Sequence, residues 1–409
     1  MNITRRGLIK TASSLPLSSL ALAQINETAH AENASLPDKT SFEKMGVTYL
    51  NSASQHPISL KSSDAVLRYL AKRRLHPDAP KGRHDSNVPL ELFAKLINAE
   101  FDEIAYVQST SAGEQAIIRA LGFPDVGGHI ITDNLHFPGS RATYAGLERM
   151  GMIITSIKER DGRIEIEDIK NALRPDTKFI ALSLVAMENG FMHDLKAVCE
   201  IAHENGMLVY ADIIQGAGVI PIDVKESGVD FAACSSYKWL MGDFGVGFVY
   251  ASKKAQKHLI QSNFGYFGLN IPRNDAGANE ARENFGFPKS ASGHFAIGTR
   301  SFTGVAMLGQ SLDYILNLGI KNINTHSRSM TDLLKEELPK IGINLWTPLD
   351  SYGPMVVGML ANATTILKPK LEEANIQISV YPDRFRISPS VFNDQSDIEK
   401  LLNVIKRAV

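Results

Sequence analysis

Cysteine is scarce in this sequence, and no extended run of lysine or arginine occurs. Among 409 residues, Cys199 and Cys234 are the two cysteines, which give neither a disulfide framework nor a CxxC metal pair. The formal net charge is −1, so the composition does not favour a nucleic-acid partner. With 44% hydrophobic and 21% charged residues, the chain is predicted to be globular, with one large core or two smaller ones and no metal site.

The N-terminus lacks an apolar run of the roughly 20 residues that span a bilayer, so stable membrane insertion is not expected. It has instead adjacent arginines, Arg5-Arg6, a short apolar run and small residues at cleavage-compatible positions. The start resembles a twin-arginine export signal, although Leu8 stands where that motif usually has Phe. Cleavage after Ala31, or alternatively after Ala23, would release the mature chain. We therefore predict a signal peptide over residues 1–31, the twin-arginine export machinery as a partner, and a periplasmic location.

From about Tyr49, short strand-like runs alternate with amphipathic helices, which predicts an α/β fold with a mainly parallel sheet. The predicted strands are EIAYVQS, HIITDN, MIITSI, FIALSLVA, LVYAD, DFAACS and GVGFVYA. The polar stretch Arg273–Ser292 is predicted to be an interdomain loop. We expect a large domain with an N-terminal arm over 32–293 and a smaller α+β domain over 294–409.

A lone lysine, Lys238, follows the predicted strand DFAACS. Such a lysine is commonly a surface residue, but burial would lower its pKa and let its amine attack a carbonyl to form a Schiff base. The residues at neighbouring strand ends decide between these readings, because ligands of open parallel sheets bind at the carboxyl ends of strands.

Three further motifs fall at predicted strand ends. The hydroxyl-rich STSAGE, residues 109–114, opens a helix and suits a phosphate. The turn LHFPG, residues 135–139, offers an aromatic ring for stacking, and Asp212 ends LVYAD, where a buried carboxylate needs a cationic partner. With Lys238 for an aldehyde, these motifs together describe a site for pyridoxal 5′-phosphate (PLP).

The stretch from LVYADIIQGAG to CSSYKWLMGDFGVGFVY is similar to the class V aminotransferase family of PLP enzymes of fold type I, and the resemblance extends from Tyr49 to Asn393. That family includes cysteine desulfurases, kynureninase and isopenicillin N epimerase. The resemblance implies that Lys238 binds the cofactor's aldehyde, that Asp212 pairs with the ring nitrogen and that Gln215 lies near the ring oxygen. For the remaining cofactor contacts it implies Phe137, with His136 as the alternative, as the stacking residue, and Thr110, Ser111, Ser235 and Tyr237 around the phosphate.

Two further residues match the family's pattern. Thr299, in FAIGTRSF, stands where the family often sends a threonine to the phosphate of a neighbouring subunit, which implies a homodimer. Arg386, in RISPSVFN, stands where an arginine grips the substrate's α-carboxylate, with Arg384 as the alternative.

The sequence also departs from parts of the family. No cysteine follows Cys234, so the persulfide chemistry of cysteine desulfurases is not expected. Met187 takes the place of an asparagine that often contacts the ring, with Asn189 displaced by two residues. Tyr237 precedes the lysine as in kynureninase.

The combination of this family with an export signal resembles exported members that modify siderophores, such as the pyoverdine-tailoring enzymes. The predicted function is therefore a periplasmic PLP enzyme acting at Cα of an amino acid, or of an amino-acyl group in a secreted small molecule or peptide, by transamination or a related reaction. The alternatives are an epimerase, a C–S or C–C lyase, or a non-catalytic protein that keeps the PLP fold for binding.

Overall fold

The computed structural model describes residues 35–76, 86–269 and 286–409. The predicted signal peptide and residues 273–285 of the predicted interdomain loop lie outside these ranges. Within the described residues, the α-helices are α1 Leu60–Leu75, α2 Val88–Ile97, α3 Thr110–Ala120, α4 Pro138–Arg149, α5 Ile166–Asn171, α6 Leu195–Glu204, α7 Val224–Ser227, α8 Ala291–Phe295, α9 Phe302–Leu318, α10 Ile320–Lys340, α11 Ala363–Glu373 and α12 Gln395–Ala408.

The strands form three sheets. Their bounds are β1 Thr48–Tyr49, β2 Ile104–Val107, β3 His129–Asp133, β4 Ile153–Ile157, β5 Thr177–Ser183, β6 Leu208–Asp212, β7 Phe231–Ser235, β8 Gly247–Ala251, β9 Asn344–Leu345, β10 Val356–Met359, β11 Ile376–Gln377, β12 Ser379–Val380 and β13 Arg384–Ile387. A seven-stranded sheet has the order β2-β8-β7-β6-β5-β3-β4, a four-stranded sheet has the order β12-β13-β10-β9, and β1 pairs with β11.

All seven predicted strands are present in the seven-stranded sheet. Strands β4, β3, β5, β6 and β7 run parallel, while β8 is antiparallel to both β7 and β2. The α/β fold with a mainly parallel sheet is therefore confirmed. The reason is visible in β6, where Val209 and Ala211 join the core on one face and Tyr210 the core on the other, so both faces are covered by helices.

The C-terminal α+β region is built on the antiparallel four-stranded sheet, with α10, α11 and α12 closing a third core around Phe385 and Leu401. Helix α12 starts at a capping box in which Asp394 and Asp397 bond each other's backbone N–H groups. The predicted boundary between residues 293 and 294 stays a prediction. Within the described ranges, no helix combines the length and apolar character needed to cross a membrane.

Candidate active site

Asp212 and Lys238 lie at the same edge of the seven-stranded sheet. Asp212 is the last residue of β6, which pairs in parallel with β7, and Asp212 stands opposite Ala233 in that pairing. Lys238 lies three residues beyond the end of β7. These two strands are therefore neighbours, and both residues lie at the carboxyl edge, where ligands bind in this class of sheet.

The amine of Lys238 is buried and, among the described residues, has no hydrogen-bond or ion-pair partner. The residue is 6% exposed, and its Nζ lies 5.8 Å from the centroid of the Tyr237 ring. Burial lowers the pKa of Lys238 to about 8, helped by the charge of Arg386 and opposed by Asp212 and Cys234. Near pH 8 the free amine and the ammonium are thus equally populated, which suits a lysine that must act as a nucleophile and a base.

The carboxylate of Asp212 has one free oxygen. The residue is 3% exposed, Oδ1 accepts a hydrogen bond from the Ile214 N–H at 2.9 Å, and Oδ2 has no donor among the described residues. Burial raises the pKa of Asp212 to about 6, against the opposing charge of His136 and the Ile214 N–H. A buried carboxylate in this state needs a cationic partner, and a protonated pyridine nitrogen is one.

The N-terminus of α3 forms a cup of hydroxyl and backbone N–H groups. Ser109 caps the helix by accepting from the Ala112 N–H at 3.1 Å. Thr110 and Ser235 bond each other through both side chains and both backbone N–H groups, at 2.8–3.0 Å. The N–H and hydroxyl of Ser111 and the hydroxyl of Tyr237 find no partner in the described chain, so they are available to an anion such as a phosphate.

Two glycines allow this close assembly. A Cβ on Gly113 of α3 would lie 2.9 Å from the Cβ of Ala233, and a Cβ on Gly247 of β8 would lie 2.4 Å from the carbonyl oxygen of Cys234. Any larger residue would push α3 or β8 away from β7. Gly113 and Gly247 are therefore explained by the close approach of α3 and β8 to β7.

His136 and Phe137 occupy different environments. His136 is fully buried, with Nδ1 bonded to Ser183 Oγ at 2.8 Å and Nε2 to a carboxylate oxygen of Glu114 at 3.2 Å. Phe137 is half-buried and precedes the first residue of α4, with its N–H donating to Ser183 Oγ at 3.3 Å. Since His136 is fully buried and Phe137 is half-buried, this arrangement favours Phe137 for stacking, and the assignment stays a prediction.

Gln215 is fixed by two contacts. Its side-chain oxygen accepts from the Trp239 indole N–H at 2.9 Å, and its nitrogen donates to the Ala53 carbonyl at 3.1 Å. The amide keeps one N–H for a ring oxygen. It also joins the N-terminal segment to the strand end that carries Asp212.

The two arginines of β13 differ in their counter-ions. Arg384 donates to Glu188 at 2.7 Å and to Asp383 at 3.0 Å. Arg386 is 3% exposed, has no carboxylate within ion-pair distance in the described chain, and its Nε has no hydrogen-bond partner there. The acceptors around Arg386 are neutral: the Met187 carbonyl at 3.2 Å, Ser54 Oγ at 2.8 Å and Ser379 Oγ at 3.4 Å.

Thr299 is not brought to this site. It is exposed and makes no hydrogen bond to any described residue of its own chain. Asn189 is also committed elsewhere, because its side chain bonds the Gly162 carbonyl at 2.7 Å and the Phe191 N–H at 3.0 Å. The asparagine contact to the ring that much of the family uses is therefore not available from Asn189.

Several site residues were not identified from the sequence. Ser54 and Ser379 flank Arg386, Ser183 holds His136 and Phe137, and Glu114 lies beneath the cup. Of these residues, only Glu114 could have been noticed in the sequence, because it is an acidic residue on an otherwise apolar helix face. Scattered serines give no comparable signal.

The groups left without partners match PLP in kind and number. A free buried amine at Lys238 fits the aldehyde, an open carboxylate oxygen at Asp212 fits the ring nitrogen, and the open donors of Ser111 and Tyr237 fit the phosphate. The uncompensated guanidinium of Arg386 fits a substrate carboxylate. The residues present therefore fit the cofactor.

A match to the aminotransferase class-V family spans residues 87–380. The chain belongs to the class-V aminotransferase family. This class-V aminotransferase is 26% identical over 314 residues to an uncharacterized aminotransferase of Bacillus subtilis, covering 76% of this chain and 81% of that protein. It is 27% identical over 318 residues to a probable cysteine desulfurase of Methanothermobacter thermautotrophicus, covering 75% of this chain and 76% of that protein.

Solved structures share the fold of this class-V aminotransferase. The cysteine desulfurase CsdA of Escherichia coli superposes with a TM-score of 0.79 at 20% identity, covering 92% of this chain and 99% of that chain. A C-DES mutant with glycine covalently linked to its PLP cofactor superposes with a TM-score of 0.81 at 17% identity, covering 90% and 99%. The protein is thus a PLP-dependent enzyme of fold type I.

Proposed function

We propose that this enzyme acts at Cα of an α-amino acid, or of an amino-acyl group with a free amine and carboxylate in a secreted small molecule or peptide, by transamination or a closely related reaction. The observation that carries the proposal is Arg386. Its buried guanidinium, without a protein counter-ion in the described chain, lies close enough to Lys238 to lower that residue's pKa. A planar fork of donors at this place suits one carboxylate of the substrate.

The chain's own residues have separate tasks in this proposal. Arg386 holds the substrate carboxylate and so orients the bond from Cα to its hydrogen, and the Lys238 amine takes the proton from Cα. Asp212 keeps a proton on the ring nitrogen, and the α3 cup holds the phosphate. PLP, when bound, supplies an electron sink for the charge that develops at Cα.

Cysteine placement separates this enzyme from its cysteine desulfurase relatives. Both cysteines of the chain are buried, and burial raises the pKa of Cys234 well above its usual range. A persulfide carrier must present a thiolate to the substrate, which neither residue can do. Formation of a protein-bound persulfide is therefore not part of the proposal.

Absorption spectroscopy tests the reaction. The chain from Glu32 onward, loaded with PLP, is mixed with single amino acids and with peptides that carry a free α-amino acid group. Transamination predicts loss of the visible cofactor band and gain of the pyridoxamine band, with a keto product found by mass spectrometry. If the substrate is racemised instead, the enzyme is an epimerase. If a side-chain fragment is released and the cofactor is unchanged, it is a lyase.

We also propose export through the twin-arginine machinery to the periplasm. Support comes from Arg5-Arg6, the short apolar run and the small residues before Glu32. This pathway carries folded proteins, which suits an enzyme that acquires its cofactor in the cytoplasm. Cell fractionation with an Arg5→Lys, Arg6→Lys double variant provides the test: the wild type should be cleaved and periplasmic, and an uncleaved cytoplasmic wild type would end this part of the proposal.

A homodimer completes the proposed site. Thr299 is exposed, and Phe264, Tyr266 and Ile297, which are 41–66% exposed, lie on the two segments that meet where Gly265 contacts Ile297. Apolar side chains beside an unused threonine suit a surface that a second copy covers. Light scattering should give twice the chain mass. A monomer that binds PLP fully would contradict the dimer.

A further inference from the structure

Glu114 lies one turn inside α3, behind the cup proposed for the phosphate. It is 2% exposed, yet no lysine or arginine of the described chain lies within ion-pair distance. Its carboxylate accepts hydrogen bonds from the Tyr144 hydroxyl at 2.8 Å, from the Ser140 hydroxyl, and from Nε2 of His136 at 3.2 Å. Three donors converge on this carboxylate, and His136 is the one basic group among them.

His136 in turn is surrounded by acidic groups. Its ring is fully buried, and since Nε2 donates to Glu114, Nδ1 is the nitrogen that takes up or loses the second proton. The Ser183 hydroxyl at Nδ1 accommodates either state, because it can donate or accept. Titratable groups face His136 from four elements: Glu114 from α3, Tyr144 from α4, Tyr210 and Asp212 from β6, and Asp133 from the end of β3. Oδ2 of Asp133 also lies 3.4 Å from Nε2 of His193.

The balance of these groups favours a charged ring. Burial opposes the charge, but the hydrogen bond to Glu114 and the charges of Glu114, Asp133 and Asp212 outweigh it and raise the pKa of His136. Among the charges that act on Asp212, His136 is the strongest that counters burial and holds down the pKa of that carboxyl. Ser183, which bonds Nδ1 of His136, stands opposite Asp212 in the pairing of β5 with β6, so Glu114 is linked to Asp212 through one imidazole.

We propose that Glu114 and His136 are a positioning pair for Asp212: the glutamate holds His136 as an imidazolium, and this buried cation holds Asp212 as a carboxylate. The inference rests on the proposed role of Asp212 as the partner of the PLP ring nitrogen. Neither Glu114 nor His136 needs to touch the cofactor. Their task is to keep Asp212 able to hold a proton on that nitrogen.

The test is ¹⁵N NMR of enzyme loaded with PLP that is labelled at the ring nitrogen. Glu114→Gln keeps the size and an oxygen acceptor for Tyr144, and His136→Gln removes the cation. At pH 8 the wild type should show a protonated ring nitrogen, and both variants a shift toward the unprotonated position. The PLP dissociation constant should rise once the pKa of Asp212 approaches the pH, by about tenfold for each unit by which that pKa exceeds the pH, because the protonated carboxyl cannot pair with the ring nitrogen.

His203→Gln is the matched control. His203, on α6, also pairs with a carboxylate: its Nε2 lies 2.9 Å from Oδ2 of Asp230. Neither residue belongs to the Glu114–His136 cluster. The control should keep the wild-type nitrogen signal. A loss of the signal in the control as well would reduce the effect to a general consequence of losing a histidine and would overturn the inference.

Asp212→Asn distinguishes a failure of the proposed positioning pair from a failure of the proposed role of Asp212. If Asp212→Asn loses the protonated signal while Glu114→Gln and His136→Gln keep it, the positioning pair is wrong and the role of Asp212 stands. If Asp212→Asn also keeps the signal, the proposed role of Asp212 is wrong as well.

A second measurement needs neither cofactor nor a folded Glu114 variant. In wild-type protein with ¹⁵N-labelled histidine, one residue should keep both ring nitrogens protonated at pH 8, and its signals should be missing from the spectrum of His136→Gln. A neutral imidazole at position 136 at pH 8 would overturn the inference.

Discussion

The two sides of the site differ in whether their buried charges have counter-ions. On the side of the seven-stranded sheet, Asp212 lies among His136, Glu114 and Lys238, so charges of both signs are close together. On the side of the four-stranded sheet, Arg386 has neutral acceptors and, in the described chain, no carboxylate within ion-pair distance. A buried charge without a counter-ion is costly, so it marks the place where a charged ligand belongs. The comparison therefore supports the proposal that the cofactor binds on one side and the substrate's anion on the other.

Lys238→Ala should have the largest effect on the cofactor side. Without this amine there is no group to hold the aldehyde or to take the Cα proton, so activity should fall about 10³-fold or more. The visible cofactor band of the purified enzyme should change as well.

Lys335→Met is the control for that variant, because Lys335 is also a buried lysine, 6% exposed, but donates to the carbonyls of Leu349 and Ser351. It should lower the melting temperature and keep the cofactor band. An unchanged band in Lys238→Ala would remove Lys238 from the site.

On the substrate side, the pair Arg386→Lys and Arg384→Lys tests the difference between the two arginines of β13. Arg386→Lys loses the planar fork at an uncompensated site, so kcat/KM should fall about 10²- to 10³-fold. Arg384→Lys keeps its partners Glu188 and Asp383 and should stay within about tenfold of the wild type. Steady-state kinetics with one amino acid substrate decides, and the reverse order of effects would make Arg384 the carboxylate clamp.

Asp212→Asn tests how much the buried carboxylate lowers the free energy of unfolding. Because burial raises the pKa of Asp212 from 3.8 to about 6, the protonated form favours the fold, and stability is lost as pH rises through about 6. The cofactor-free variant should therefore be more stable than the cofactor-free wild type at pH 8, by up to about 3 kcal/mol. Urea unfolding at pH 4 and pH 8 measures this, and added PLP should stabilise the wild type more than the variant. A stability difference that does not change with pH would contradict the raised pKa.

The pH dependence of PLP capture should give the smallest effect. The lowered pKa of Lys238, about 8, means that the free amine becomes about tenfold scarcer for each pH unit below that value. Stopped-flow absorbance after mixing apoenzyme with PLP should show a rate that rises with pH and levels off above about 8. A rate that keeps rising to pH 10 would indicate a lysine with an ordinary pKa.

Much of the cofactor side could be predicted because it is local in sequence. The strand ends that carry Asp212 and Lys238 are marked by apolar runs that stop at a polar residue, and the cup is a hydroxyl cluster at a helix start. Sequence reasoning left two choices open, His136 against Phe137 and Arg384 against Arg386. His136 and Phe137 are adjacent in the turn before α4, and Arg384 and Arg386 are two residues apart on β13, so periodicity alone could not separate either pair.

The sequence by itself determined the α/β class, the seven strands of the main sheet and PLP as the cofactor, because hydrophobic periodicity and strand-end chemistry are written in short segments. Only the tertiary structure decided which charges are compensated. Ser54 meets Arg386 from 332 positions away, and Glu114 of α3 meets His136 in the turn before α4. Whether a buried charge has a counter-ion depends on such distant neighbours, and no local pattern records them.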